Sequence, residues 1–143
     1  MPYSRQNIKN WQSRPLKEQI RPFSSDGCSL SPEGSAKYPK LWLDCCLKHD
    51  LAYWKGGIKV KRKAADLALK VCIESKGTRF SHYLYYIGTR LGGGPQWETP
   101  FKWGYGWNYD RGYLPLTKDE IEYINKFGPK KEENLNKYLI LKD

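Results

Sequence analysis

The hydrophobic positions of the chain are spaced for helices, most clearly in two central segments. Between Leu41 and Trp54 the apolar residues fall close to a helical period, at positions 43, 46, 47, 51 and 54. The Gly-Gly pair at 56–57 ends this predicted helix in the manner of a C-cap. A second helix is predicted from Lys61 to Glu74, with a buried stripe formed by Ala64, Ala65, Ala68, Leu69, Cys72 and Ile73.

The remaining pattern predicts shorter helices separated by loops. A third helix is expected over residues 79–90, and a fourth begins at Thr117, where "TKDE" has the form of a capping box. Residues 24–40 are dense in Ser, Gly and Pro, which predicts a loop. Residues 1–23 are polar and interrupted by prolines, as expected for an arm with one short helix. The fourth helix should end near Gly128.

These elements predict a mainly α protein with two antiparallel helices at its centre. At 143 residues the chain has the length of a single domain. We expect residues 23–76 to hold the core of that domain and residues 91–143 to form an irregular, aromatic and Gly-rich extension.

The charge of the chain bears on which partners it would favour. Its 25 basic and 15 acidic residues give a formal charge of +10, which favours anionic partners such as lipid surfaces, nucleic acid or acidic polymers. A basic, solvated surface with no such partner is the simpler interpretation. No apolar run approaches the roughly 20 residues of a membrane helix, so we expect no transmembrane span.

The four cysteines bear on the compartment. Cys45 and Cys46 are adjacent and cannot easily bond to each other, which leaves two connectivities with Cys28 and Cys72. Zinc is the rival use of four cysteines, but their spacing supplies no C-x-x-C knuckle. Two disulfides and an oxidising compartment are therefore predicted. The amino terminus has no signal-peptide core, so a mature form, another export route or an intracellular location all stay open.

The first predicted helix carries the candidate chemistry in "CCLKHDLAY". Helical spacing puts Cys45, His49 and Tyr53 on one face, and Cys46 and Asp50 on a neighbouring face. If Cys46 pairs with Cys28, then Asp26 and the carbonyls beside it converge on Asp50. Carboxylate and carbonyl oxygens gathered by a loop are the ligands that a hard cation such as calcium prefers.

The other pairing would complete a second group of residues. If Cys45 pairs with Cys72, the two helices are held side by side, and Asp66 becomes a candidate to reach His49. A histidine oriented by a buried carboxylate has the parts of a general base, because the carboxylate fixes its tautomer and stabilises the imidazolium.

These residues resemble the secreted phospholipases A2. "CCLKHDLAY" is similar to that family's active-site motif C-C-x-x-H-D-x-C-Y, and "ADLALKVC" is similar to its second long helix, C-D-x-x-x-x-x-C. Ala52 and Ala65 stand at the two positions where the family has a bonded cysteine pair. The loop "SSDGCSLSPEG" is similar to the calcium loop of bacterial and fungal members. The resemblance covers residues 23–73 of the chain.

The resemblance implies a calcium-dependent enzyme that hydrolyses the sn-2 ester of glycerophospholipids and releases a fatty acid and a lysophospholipid. Its catalytic residues would be His49, Asp66 and Tyr53, its calcium ligands Asp26, Gly27 and Asp50, and its disulfide cysteines Cys28, Cys46, Cys45 and Cys72. His49 would activate water, Asp66 would orient His49, and the Tyr53 hydroxyl would support Asp66. The expected partner is an anionic phospholipid membrane surface, and the expected location is outside the cell or in the periplasm.

Two other classes of function stay open. A catalytically inactive relative could bind membranes or a receptor, although the sequence keeps His49 and Asp50. A nucleic-acid-binding domain would explain the charge but would leave those residues without a purpose, so it is not expected. The aromatic residues from 97 to 113 suit either internal packing or an interfacial belt. "KVKRK" at 59–63 is interpreted as the solvated start of a helix, with membrane electrostatics as its alternative.

Overall fold

Helices make up most of the regular structure of the protein. The computed structural model describes residues 15–20, 22–28, 32–92, 113–131 and 133–140. The helices in these ranges are α1 (Leu16–Gln19), α2 (Leu43–Lys55), α3 (Lys59–Glu74), α4 (Ser81–Gly92) and α5 (Lys118–Phe127), followed by a 3-10 turn (Leu135–Tyr138). The prediction of a mainly α protein is confirmed within this described part.

The helix boundaries differ from the predicted ones by a few residues. α2 ends at Gly56, which has a φ of 70° and so adopts the left-handed region that glycine tolerates best. α4 begins at Ser81, two residues after the predicted start at position 79. The capping box at the start of α5 is present, because Thr117 accepts from the Glu120 amide while the Glu120 carboxylate accepts from the Thr117 amide.

Two disulfides link α2 to the loop before it and to α3. Cys28 bonds to Cys46, and Cys45 bonds to Cys72, so the described residues contain no free cysteine and no thiolate for zinc. The bonds link residues 18 and 27 positions apart. In the chain-entropy model, loops of this length stabilise a fold by about 3 kcal/mol each.

The main core packs around these bonds, between α2 and α3. Its buried members are Cys28, Trp42, Cys45, Cys46, Leu69 and Ile73. A second cluster joins Ile20 after α1 to Ile124 of α5, with Trp54 against it. The residues after α1 and helix α5 therefore pack against the C-terminal end of α2.

The buried stripe predicted for α3 is partly wrong. Ala65, Leu69 and Ile73 are buried as expected, but Ala64 and Ala68 are exposed. Arg62 and Asp66 are buried in their place, at 4% and 0% exposure. The physical reason is that these two charged side chains turn inward and satisfy each other and their neighbours, which apolarity alone does not anticipate.

The C-terminal segment reaches back to the loop before α2. Ser25 and Leu139 form an isolated parallel bridge: the Ser25 amide donates to the Tyr138 carbonyl at 3.0 Å, and the Ser25 carbonyl accepts from the Ile140 amide at 2.6 Å. Phe23 packs against the rings of Trp54 and Tyr138. The end of the chain therefore helps to fix the position of residues 23–25.

Some predicted features lie outside the described residues. These are the first 14 residues of the predicted arm and the aromatic segment up to position 112. Among the described residues, no helix combines the length and the apolarity that a membrane crossing requires.

Candidate functional site

Helix α2 holds His49 and Tyr53 one turn apart on a buried face. The two side chains are 8% and 5% exposed, and their ring centroids lie 4.2 Å apart. Asp50 lies on the next face and is half-buried. The i, i+4 spacing seen in the sequence therefore brings both aromatic rings to the same place.

Asp66 of α3 joins these two residues. Its Oδ1 lies 2.7 Å from Nε2 of His49 and accepts a hydrogen bond of 2.6 Å from the Tyr53 hydroxyl. The carboxylate is fully buried. The structure thus brings together the three residues that the resemblance assigns to catalysis.

Two arginines complete this cluster. Arg90 of α4 donates to Oδ2 of Asp66 at 2.9 Å, and Arg62 donates from Nε to the Tyr53 hydroxyl at 3.1 Å. Arg62 also donates to the carbonyls of Thr89 and Arg90, at 2.6 and 3.0 Å, and to the Tyr113 hydroxyl at 3.1 Å. Arg62 therefore links α3 to the end of α4, and Asp66 receives hydrogen bonds at both of its oxygens.

The electrostatics of the cluster keep Asp66 ionised. Burial disfavours its charged form, but hydrogen bonds from His49 and Tyr53 outweigh burial and hold the pKa of Asp66 below its ordinary value. Burial, together with the negative charge of Asp66, raises the pKa of the Tyr53 hydroxyl. Tyr53 is therefore a protonated donor over the whole physiological range.

This arrangement leaves Nδ1 of His49 as the ring nitrogen that can accept a proton. An ionised Asp66 accepts the proton carried by Nε2, so the lone pair of the neutral ring is on Nδ1. Within the described part of the chain, Nδ1 has no hydrogen-bond partner. The ring is therefore oriented by Asp66 at one nitrogen and available for proton transfer at the other.

The loop before α2 is held against Asp50. The fully buried Ser25 donates from its hydroxyl to Oδ2 of Asp50 at 2.6 Å and accepts from the Gly27 amide at 3.0 Å. The Cys28–Cys46 bond anchors the following residue of the loop to α2. Gly27 has a φ of 75°, a left-handed conformation that places its carbonyl in a turn.

The carboxylate of Glu33 lies beside Gly27. A Cβ added to Gly27 would lie 2.5 Å from Oε2 of Glu33, so the absence of a side chain at Gly27 leaves room for the carboxylate. Oε2 is buried and has no hydrogen-bond partner. An unpaired buried carboxylate oxygen is unfavourable, and a hard cation would satisfy it. The donor types around Gly27 therefore fit calcium.

The carboxylates of the loop are not drawn tightly together. Among the described residues, three ligand atoms from His, Cys, Asp or Glu come within 4.8 Å of one another only at Asp44, Cys45 and Cys72. The two sulfurs of that group are bonded to each other, so they are not thiolate ligands. Asp26, Glu33 and Asp50 thus do not form such a group.

Sequence reasoning missed Ser25, Glu33, Arg62 and Arg90. The prediction that residues 59–63 form a solvated helix start is wrong for Arg62, which is buried and bonded to the cluster. A signal for Arg62 was present in its i, i+4 spacing to Asp66, and the two side chains approach to 4.0 Å. Arg90 carried no such signal, because only the packing of α4 brings it to Asp66.

Comparisons with known proteins add no identification to this geometry. No family model matches the chain, and neither a curated protein nor a solved structure does so. The site itself is therefore the basis for inferring a function.

Proposed function

We propose that the protein is a calcium-dependent hydrolase of the phospholipase A2 type, which cleaves the sn-2 ester of glycerophospholipids. One observation carries the proposal: His49 is paired with a buried Asp66 at 2.7 Å while the residue next to it, Asp50, faces a disulfide-anchored loop. A proton acceptor and a cation site on adjacent faces of one helix suit a metal-assisted attack by water on an ester.

In the proposed reaction, Nδ1 of His49 takes a proton from a water molecule, and the resulting hydroxide attacks the ester carbonyl. Asp66 stabilises the positive charge that then develops on the ring, and it holds the ring in place through Nε2. Tyr53, Arg62 and Arg90 act on Asp66 and keep it ionised and fixed. The proton on His49 finally passes to the leaving alcohol.

The proposed calcium ligands are the carboxylates of Asp26, Asp50 and Glu33 together with the Gly27 carbonyl. Bound there, calcium would bind the substrate phosphate and stabilise negative charge on the ester oxygen. The unpaired oxygen of Glu33 supports this assignment, and it adds one carboxylate to the set expected from the resemblance.

The positions of Ala52 and Ala65 support the proposed resemblance to that family. Ala52 and Ala65 occupy the positions of a cysteine pair in the secreted phospholipases A2, and both belong to one small apolar cluster with Tyr53 and Tyr113. Antiparallel helices would explain this contact together with the bond from Cys45, near the start of α2, to Cys72, near the end of α3.

The proposed partner is an anionic membrane surface in an oxidising compartment, outside the cell or in the periplasm. The disulfides and the charge of +10 support this placement. Arg90, near the end of α4, contacts Asp66. The same helix carries an apolar stripe at helical spacing, which suits insertion into a lipid surface. The exposed members of this stripe are Phe80, which directly precedes α4, and Leu84, Ile87 and Leu91 of α4.

The proposal is tested by release of fatty acid from vesicles of mixed anionic and zwitterionic phospholipids with different sn-1 and sn-2 chains. We expect release of the sn-2 chain in millimolar calcium and none in EGTA. Release of the sn-1 chain would refute the position of cleavage, and release in EGTA would refute the role of calcium. No release with both disulfides intact would instead identify a binding protein on an inactive scaffold.

A further inference from the structure

A separate cavity of about 790 Å³ lies between α2 and the segment that follows α5. The residues that α2 contributes to its wall are Asp44, Leu47, Lys48, Leu51 and Lys55. At 3.6 residues per turn, Leu47, Leu51 and Lys55 lie on the side of α2 opposite His49. Sites for small organic ligands typically measure about 300–1,000 Å³, so the cavity has the size of a binding site. We call it the basic cavity.

The charge of the basic cavity is positive. Its wall contains four lysines, Lys48, Lys55, Lys130 and Lys131, and two carboxylates, Asp44 and Glu133. Both carboxylates are already paired with lysines outside the wall. Asp44 is bonded to Lys76 at 3.2 Å, and Glu133 is bonded to Lys137.

The pairing of Glu133 also lowers the pKa of its carboxyl group. The hydrogen bond from Lys137, followed by those from the Lys130 amide and the Tyr138 hydroxyl, lowers the pKa of Glu133 to about 2. This carboxylate therefore already has donors of its own, and Lys48 and Lys131 of the wall remain available to an anion from solution.

The basic cavity also has an apolar part. Leu47 is 2% exposed, Leu51 and Leu135 are half-buried, and Pro129 is buried. Lys48 and Lys131 are exposed, and neither makes an ion pair or side-chain hydrogen bond within the described chain. A ligand that fits this wall needs an apolar body and an anionic head.

We propose that the basic cavity binds a single-chain amphiphilic anion, with its acyl chain against Leu47, Leu51 and Leu135 and its carboxylate or phosphate head among the lysines. The site is separate from His49, so it does not depend on the proposed hydrolysis. It would hold the same class of molecule whether the protein is an enzyme or a binding protein.

Titration calorimetry below the critical micelle concentration tests the ligand class on the full chain in EGTA. The probes are oleate and oleoyl lysophosphatidate as anions with a chain, oleyl alcohol as a chain without charge, and inorganic phosphate as a charge without a chain. We expect one site for an anionic amphiphile and at least about tenfold weaker binding of the other two probes, a difference of about 1.4 kcal/mol. Preference between oleate and lysophosphatidate identifies the head group.

Substitutions test the location. Lys48→Gln with Lys131→Gln should weaken oleate binding about tenfold, whereas the matched pair Lys61→Gln with Lys63→Gln, exposed on α3 and outside the cavity wall, should leave it unchanged. Leu51→Asp should weaken it as well. The proposal would be overturned by any of three results. These are equal losses of oleate affinity in the two lysine pairs, equal binding of oleyl alcohol and oleate, and no binding of either anion. Thermal unfolding confirms that every variant is folded.

Discussion

The two halves of the candidate site differ in how completely their polar groups are hydrogen-bonded within the protein. In the His49 half, which comprises His49, Tyr53, Arg62, Asp66 and Arg90, each oxygen of Asp66 accepts hydrogen bonds at 2.6–2.9 Å. In the loop half, which comprises Ser25, Asp26, Gly27, Glu33 and Asp50, a buried oxygen of Glu33 has no partner.

Under the proposed function, this difference separates groups that would act by orientation from groups that would act by binding. A proton acceptor must be held at one position before the reaction, and buried hydrogen bonds to rigid helices provide that. A cation site instead needs oxygens that are not already satisfied. The loop half thus has the character of a site that is completed by its ligand, and the following changes test the contrast.

The largest effect is expected for His49→Gln. It removes the proposed proton acceptor, so turnover on vesicles should fall by about 10²–10⁴-fold while calcium affinity stays the same. Asp50→Asn is the matched change in the loop half and should lower calcium affinity first. Calorimetry with calcium and the fatty-acid assay separate the two, and normal turnover in His49→Gln would refute the assigned role.

Asp66→Asn should reduce stability more than any single change in the loop half. It removes the negative charge between Arg62 and Arg90, and removing one partner of a buried ion pair typically reduces stability by about 3–5 kcal/mol. Urea unfolding measures the loss. Glu122→Gln, exposed on α5, is the control and should change stability by less than about 0.5 kcal/mol.

Glu33→Gln should shift stability in opposite directions with and without calcium. In EGTA the variant should be more stable than the parent by about 1 kcal/mol, because an unpaired buried charge is removed. In calcium it should be less stable, since a ligand is lost and calcium affinity falls. Thermal unfolding in both buffers measures this. A change of the same sign in both would contradict a cation role for Glu33.

Leu84→Lys should weaken action on vesicles by roughly tenfold, because burying one leucine in an apolar phase is worth about 1.5–3 kcal/mol. Hydrolysis of a monomeric, short-chain phospholipid should be unchanged. Ile121→Lys, at a 43% exposed position of α5, is the control and should leave both activities intact. If both variants lose vesicle activity equally, the stripe on α4 is not the lipid-binding surface.

The smallest effect concerns acid. Because the pKa of Asp66 is lower in the folded protein than its ordinary value of 3.8, the folded state binds fewer protons than the unfolded state just below that pH. Its stabilising contribution is therefore complete above about pH 4 and is lost as the pH falls through the folded pKa. Stability measured from pH 5 downward should decline more steeply for the parent than for Asp66→Asn.

The sequence predicts the His49 half better than the loop half. The hydrophobic periodicity predicts α2 and α3. The positions of His49 and Tyr53 on α2, and of Asp66 within the "AADLAL" segment of α3, predict that these residues meet between the two helices. These relations are local or span two consecutive helices. Asp66 could be identified because helical geometry constrains where it lies once the helices pack.

The residues that sequence reasoning missed depend on longer-range packing. Arg90 reaches Asp66 only through the packing of α4, and Ser25 is identified as a support for Asp50 only when the loop is folded back. Glu33 looks like an ordinary loop carboxylate until Gly27 is found beside it. Arg62 looked like part of a basic surface run in the sequence. Its burial depends on partners from three different segments, which only the folded chain brings together.

The bridge between Ser25 and Leu139 has a consequence for biosynthesis. The ribosome releases residues in chain order, so α2, α3 and α4 are available before the segment that pairs with Ser25 at Tyr138 and Ile140. The His49 half can form while translation continues, but the loop half obtains its last backbone support only when residue 140 has emerged. A nascent chain would therefore carry its proposed proton acceptor before it carries a finished cation site.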